Sequence, residues 1–256
     1  MMHSMKDPLI KCKLICCDVF LREACLFISN SPLVIYPEFT ELGSHEQSAA
    51  LREIIQKKID DAEGKDFSYI LLGYGLCGNA LSGIRARSVP LVLPRAHDCC
   101  TIFLGSRERF TECFGENLSS PWSSTGYMER GTSYIHKTDT GKLLGLDKSY
   151  DDFVKEYGEE NAQYLWETLH PEETASELTF ITTPETEALG AGCLFEEKAT
   201  HDGKTVRHLE GNMRILKGLI HGTWNDEEYL IVKPGQKVEG VYDRTLIVQA
   251  VDQDCQ

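Results

Sequence analysis

An α/β fold with a mostly parallel sheet flanked by helices, Rossmann-like in plan and built as two similar α/β halves, is what the sequence predicts from three observations. Four short runs rich in apolar and β-branched residues fall at 13–20, 32–36, 67–74 and 89–93. Segments of helical periodicity separate some of them, the alternation expected of βαβ units. The 256 residues are 41% hydrophobic, enough for a sizeable core, which excludes an intrinsically disordered chain or a disulfide-stapled miniprotein.

Taken in order, KLICCDVF at 13–20 and PLVIY at 32–36 are apolar runs of strand length. A helix follows from Ser44, where Ser44 and Gln47 fit a capping box and Leu51, Ile54, Ile55 and Ile59 recur at helical spacing. FSYILLGY at 67–74 leads into a glycine-rich turn, and VPLVL at 89–93 completes four strands expected to be parallel and buried on both faces. Residues 101–114 read as one helix, and 115–145 as a long surface excursion. Beyond it a helix is expected at about 149–169, a strand at 178–182, helical sequence after Glu185, a short helix at 212–221, and strands at 229–232 and 245–249. The expected organisation is an N-terminal α/β half carrying the site at 1–115, an excursion or lid at 116–147, and a C-terminal α/β half at 148–256.

Forty acidic against 26 basic side chains leave a formal charge of −14. That balance repels phosphate backbones and anionic lipid heads, so nucleic acid and membrane surfaces are not expected partners. No run approaches the roughly 20 apolar residues of a bilayer span. The opening stretch lacks the pattern of an export signal, so a cytoplasmic protein is expected and the ten cysteines read as metal ligands, reactive thiols or core residues.

In an open parallel sheet, ligands gather at the carboxyl ends of the strands. Cys16 and Cys17 close the first strand, His45 starts the helix after the second, Cys77 follows the third, and His97 with Cys99 follows the fourth. Thiols and imidazoles from distant segments thus converge on one rim. The His97-Asp98-Cys99 spacing lets the outer pair reach one ion, and zinc takes such borderline-soft ligands, commonly four in a tetrahedron. The expected metal ligands are therefore Cys17, His45, Cys77, His97 and Cys99, with zinc as the ion. Cys17 doubles as an exchangeable, catalytic thiol, and Asp98 as a catalytic-site carboxylate orienting His97. Alternation leaves open which of Cys16 and Cys17, and which of Cys99 and Cys100, faces the site.

Gly75, Gly78 and Asn79 in the glycine-rich turn, with Arg95, are candidates for binding a substrate anion. The turn lacks a Walker lysine and a dinucleotide fingerprint, so a plain strand-to-helix turn is an equal reading. Cys77 and Cys99 alone would suit a metal-free redox pair, and simple packing accounts for Cys12, Cys25, Cys113 and Cys193.

The stretches ICCDVF at 15–20, GYGLCGN at 73–79, PRAHDC at 94–99, LGSRER at 104–109 and GTWNDEE at 222–228 resemble the domain-of-unknown-function 1638 family over nearly the whole chain. Cys17, His45, Cys77, His97 and Cys99 match the family pattern, whereas 131–146 departs from it. The resemblance implies company with corrinoid-dependent methyltransferases of one-carbon metabolism; together with the thiol and imidazole cluster read from the residues, three roles are expected. One is a metal protein activating a thiol for methyl transfer, a methyltransferase acting on a small-molecule substrate. Another is a non-catalytic metal- or corrinoid-handling accessory that binds a corrinoid protein or methyltransferase partner, the corrinoid residing on that partner. The third is the metal-free thiol redox protein.

Overall fold

The computed structural model describes residues 9–41, 48–115, 121–130, 176–241 and 246–253, with isolated positions between 150 and 166. The chain divides into two compact units, Met1–Arg107 with Asn212–Gln256, and Glu108–Gly211. The result is a mixed α/β protein with parallel sheets flanked by helices.

In the first unit, β1 (Lys11–Cys17) runs through a short 3-10 turn at Asp18–Phe20 into α1 (Leu21–Ser29), then β2 (Val34–Thr40), α2 (Ser48–Asp60), β3 (Tyr69–Gly73) and β4 (Leu91–Pro94). These are the four expected strands, and they pair in parallel. Cys12, Leu14, Ile15, Cys16 and Cys17 are fully buried along β1, the pattern of a strand covered on both faces. Leu51, Ile55 and Ile59 form the buried stripe of α2; the expected Ser44–Gln47 capping pair lies outside the described residues.

The anticipated helix at 101–114 is two helices, α3 (Cys99–Leu104) and α4 (Arg107–Phe114). Gly105 ends α3 in the left-handed conformation, φ 81°. There the Asn212 amide docks on the Phe103 carbonyl at 2.7 Å, leaving no room for a side chain at Gly105. The last part of the chain returns to this unit. It supplies α7 (Arg214–His221), with Ile215, Leu216, Leu219 and Ile220 buried, then β8 (Tyr229–Val232) antiparallel to β4, and the hairpin of β9 (Gln236–Gly240) and β10 (Val248–Asp252). The sheet order is β2-β1-β3-β4-β8. Helix α7 packs against α1 and against β3 and β4.

The second unit holds a three-stranded parallel sheet in the order β5 (Trp122–Ser124), β6 (Glu177–Thr182), β7 (Thr205–Glu210). Part of the expected excursion is structured: Trp122–Ser124 forms β5 and Thr125–Glu129 forms α5. Trp122 is buried and packs edge-on against Tyr127 at 4.8 Å, so these residues belong to a core and not to a surface loop. After β6 (Glu177–Thr182) a 3-10 turn leads to α6 (Ala191–His201) and then β7 (Thr205–Glu210). Leu178, Phe180, Phe195 and Ala199 form the centre of this core, with Phe180 and Phe195 rings 5.0 Å apart. The polar sequence TVRHLE hid β7, an edge strand with little buried surface. The residues expected as a helix at 149–169 lie mostly outside the described set. Among the described residues no helix is long and apolar enough to cross a membrane.

Candidate functional site at the first sheet

From β1 the chain reaches β2 on one side, then returns through α2 to β3 on the other side of β1. The strand order therefore reverses between β1 and β3, and the carboxyl ends of these strands flank the crevice where open α/β sheets place ligands. Cys17 is the last residue of β1, and Cys77 follows β3 by four residues. Beyond β3 the turn keeps company with the β4–α3 loop, because Leu76 N–H donates to Ala96 C=O at 2.8 Å and Cys77 N–H to His97 C=O at 2.9 Å. Gly75 permits that approach: a Cβ there would lie 2.6 Å from the backbone N and Cα of Asp98.

This local zipper brings three thiols together. Cys99 is hydrogen-bonded through its side chain to both Cys17 and Cys77, a row of sulfurs from three separate segments. The ambiguity left by alternation is resolved, since Cys16 turns instead to the Gly73 carbonyl at 3.6 Å and Cys99, not Cys100, joins the row. Cys17 and Cys99 are buried and Cys77 is half-buried. Burial pushes the Cys17 thiol up, and for Cys99 the hydrogen bond to Cys17, with burial, outweighs the lowering by Cys77. Both are protonated and poorly nucleophilic at neutral pH unless a cation stabilises the thiolate.

Cys77, Gly78 and Asn79 all have positive φ, at 47°, 60° and 67°. For the two residues other than glycine this is a costly backbone, held by its surroundings. Ser48 Oγ donates to Gly78 C=O at 2.8 Å and Arg52 to Asn79 C=O at 2.7 Å, so both carbonyls are turned towards α2. Asp98 caps α3, its Oδ1 accepting from Thr101 N–H at 3.0 Å and Thr101 Oγ at 3.1 Å, while burial raises its carboxyl above the usual range. His97 is half-buried beside it, and a protonated His97 would favour the Asp98 carboxylate against that burial. His45 lies outside the described residues.

Arg95 is engaged with backbone. Its guanidinium donates to the carbonyls of Asp226 at 2.9 Å, Leu246 at 3.1 Å and Val248, while its own N–H donates to Glu228 C=O at 2.7 Å. The sequence pattern does not mark Thr40 and Tyr74, yet both border the row. Thr40 Oγ1 and Tyr74 Oη are buried and hydrogen-bonded at 2.8 Å, and burial pushes the Tyr74 phenol up more than the Thr40 hydrogen bond lowers it. Among the described residues no group of three or more His, Cys, Asp or Glu side chains is arranged to hold a metal ion; the three sulfurs are linked pairwise through Cys99.

Fold and site together define an α/β protein with a thiol cluster at the carboxyl edge of a parallel sheet. The chain belongs to the family described as protein of unknown function DUF1638, whose model matches residues 39–220. No curated protein and no solved structure matches it.

Proposed function

We propose that the protein does thiol chemistry in one-carbon, corrinoid-linked methyl metabolism, with Cys77, His97 and Cys99 holding a zinc ion and Cys17 as its fourth ligand or exchangeable thiol. The observation that carries the thiol part is the hydrogen-bonded row beside the point where the strand order reverses between β1 and β3. Three soft donors suit zinc in kind, although the described side chains do not form a ready three-ligand set. When bound, zinc supplies the positive charge that turns buried thiols into thiolates and acidifies a substrate thiol or water. The protein's own groups do the rest: Gly75 locks the Cys77 turn to the Asp98 loop, Asp98 fixes the start of α3 under Cys99, and burial of Cys17 and Cys99 keeps water from them. The methyl-transfer part, with a corrinoid protein or methyltransferase as partner and a cytoplasmic setting, rests on the family resemblance and on the sequence.

A second reading, a metal-free thiol pair, is favoured by the direct Cys77–Cys99 hydrogen bond. The raised Cys99 thiol weighs against it, because oxidative exchange proceeds through thiolate. Elemental analysis of protein purified without added metal decides between them. Stoichiometric zinc in the parent, lost in Cys77→Ser and in His97→Ala, is the expected result. Equal metal content in all three removes Cys77 and His97 from the set, and a metal-free parent whose Cys77 and Cys99 form a disulfide under mild oxidant establishes the thiol pair.

A further inference from the structure

We infer that Thr40 and Tyr74 form a hydroxyl bridge that fixes Cys17 as the buried anchor of the thiol row and leaves Cys77 as the sulfur that meets external reagents. The inference deepens the thiol-site reading and rests on the row, but it needs no metal.

Register supplies the geometry. Cys17 pairs with Thr40 across β1 and β2, and Cys16 pairs with Gly73 across β1 and β3, so Tyr74, one residue further, comes level with Cys17 on its other side. Residues level with one another on adjacent strands project to the same face. The Thr40–Tyr74 hydrogen bond at 2.8 Å therefore spans β1 at the position of Cys17. Two strand spacings are roughly 9.6 Å, a gap that the length of a tyrosine closes and a smaller residue would not. Phenylalanine would fill much the same volume, so packing alone does not call for the hydroxyl; once buried, each hydroxyl requires the other. Tyr74 and Cys17 are fully buried and Thr40 is 4% exposed, whereas Cys77 is half-buried and held at positive φ by its N–H on His97 C=O. Thr40 and Tyr74 are positioning residues in this scheme: they act through Cys17.

The test is limiting alkylation of the EDTA-treated full chain with iodoacetamide, read by peptide mass spectrometry, with exposed Cys193 as the reference thiol and Cys12 of the same sheet as a reporter of general opening. In the parent, Cys77 is expected to label at least about tenfold faster than Cys17 or Cys99. Tyr74→Phe and Thr40→Val should each raise Cys17 labelling about fivefold without changing Cys12, the double variant should do no more than either single one, and Thr40→Ser should keep the parent pattern. Cys17 labelling as fast as Cys77 in the parent overturns the inference. So does unchanged Cys17 labelling in both single variants, or a parallel rise at Cys12, which would mark ordinary loosening of the sheet. Absence of zinc on elemental analysis would defeat the metal reading and leave this labelling pattern untouched.

Discussion

At the carboxyl edge of the first sheet, Thr40 is matched with Tyr74 at 2.8 Å and Asp98 with Thr101 at 3.0 Å. At the carboxyl end of β5, in the other unit, Ser124 precedes α5 in the capping position without a side-chain cap hydrogen bond, and the buried hydroxyls of Ser123 and Ser124 have no hydrogen-bond partner among the described residues. Thr183 and Thr186, after β6, do pair with each other at 2.8 Å. Both edges end parallel strands in buried polar side chains, but the first organises its hydroxyls and carboxylate around sulfurs drawn from three segments. The difference teaches that a carboxyl edge is not by itself a site. What marks the first edge is that its backbone turns are locked to one another and that Thr40, Tyr74 and Asp98 each meet a hydroxyl or amide partner.

Breaking that lock should give the largest effect. Gly75→Ala places a Cβ 2.6 Å from rigid Asp98 backbone, and a loss of about 3 kcal/mol in urea unfolding is expected, with Cys77 drawn away from Cys99. Gly192→Ala in the second unit offers the contrast. There the nearest atom is a Phe180 ring carbon at 3.3 Å, and the helix gains from alanine, so a change of less than about 1 kcal/mol is expected. Equal losses in both would erase the distinction.

Alkaline unfolding gives an intermediate effect on the first sheet. Burial raises the Cys12 thiol from its ordinary 9.0 to about 11, more than the backbone hydrogen bond to Tyr69 lowers it. A folded pKa above the unfolded one contributes stability that is fully present below 9.0 and is lost as pH rises through about 11. At 1.36 kcal/mol per unit this is at most about 2.7 kcal/mol. Urea midpoints measured from pH 8 to 11 should fall, and fall less steeply in Cys12→Ala; identical slopes would show that Cys12 titrates as in the unfolded chain.

The smallest effect belongs to the second unit. Ser124→Ala deletes a buried hydroxyl with no partner among the described residues, so stability should stay within about 1 kcal/mol of the parent and lean upward, whereas loss of a working serine cap costs about 1 kcal/mol. Thermal unfolding of the full chain checks the sign. A clear loss would mean that Ser124 is satisfied after all and would bring the two edges closer together.

The four parallel strands and the rim they share were legible in the sequence, because strands buried on both faces leave unbroken apolar runs, and residues that follow such runs arrive at the same edge. Cys17, Cys77 and Cys99 could be nominated on that ground alone. Their choice over Cys16 and Cys100 was not legible, since alternation fixes that one of two neighbours faces a given side but not which side is which. Thr40 and Tyr74 stayed hidden for a related reason: they lie 34 residues apart and meet only when β2 and β3 take places on either side of β1. Arg95 likewise shows its carbonyl partners only after β10 has returned from the far end of the chain.

Local sequence thus determined where strands run, where turns break them and which residues reach the carboxyl edge, because side-chain period and glycine placement act within a few residues. Tertiary structure alone decided strand order, register and the partners of each polar group. Those depend on segments distant along the chain closing against one another, and local propensity has no means of expressing the outcome.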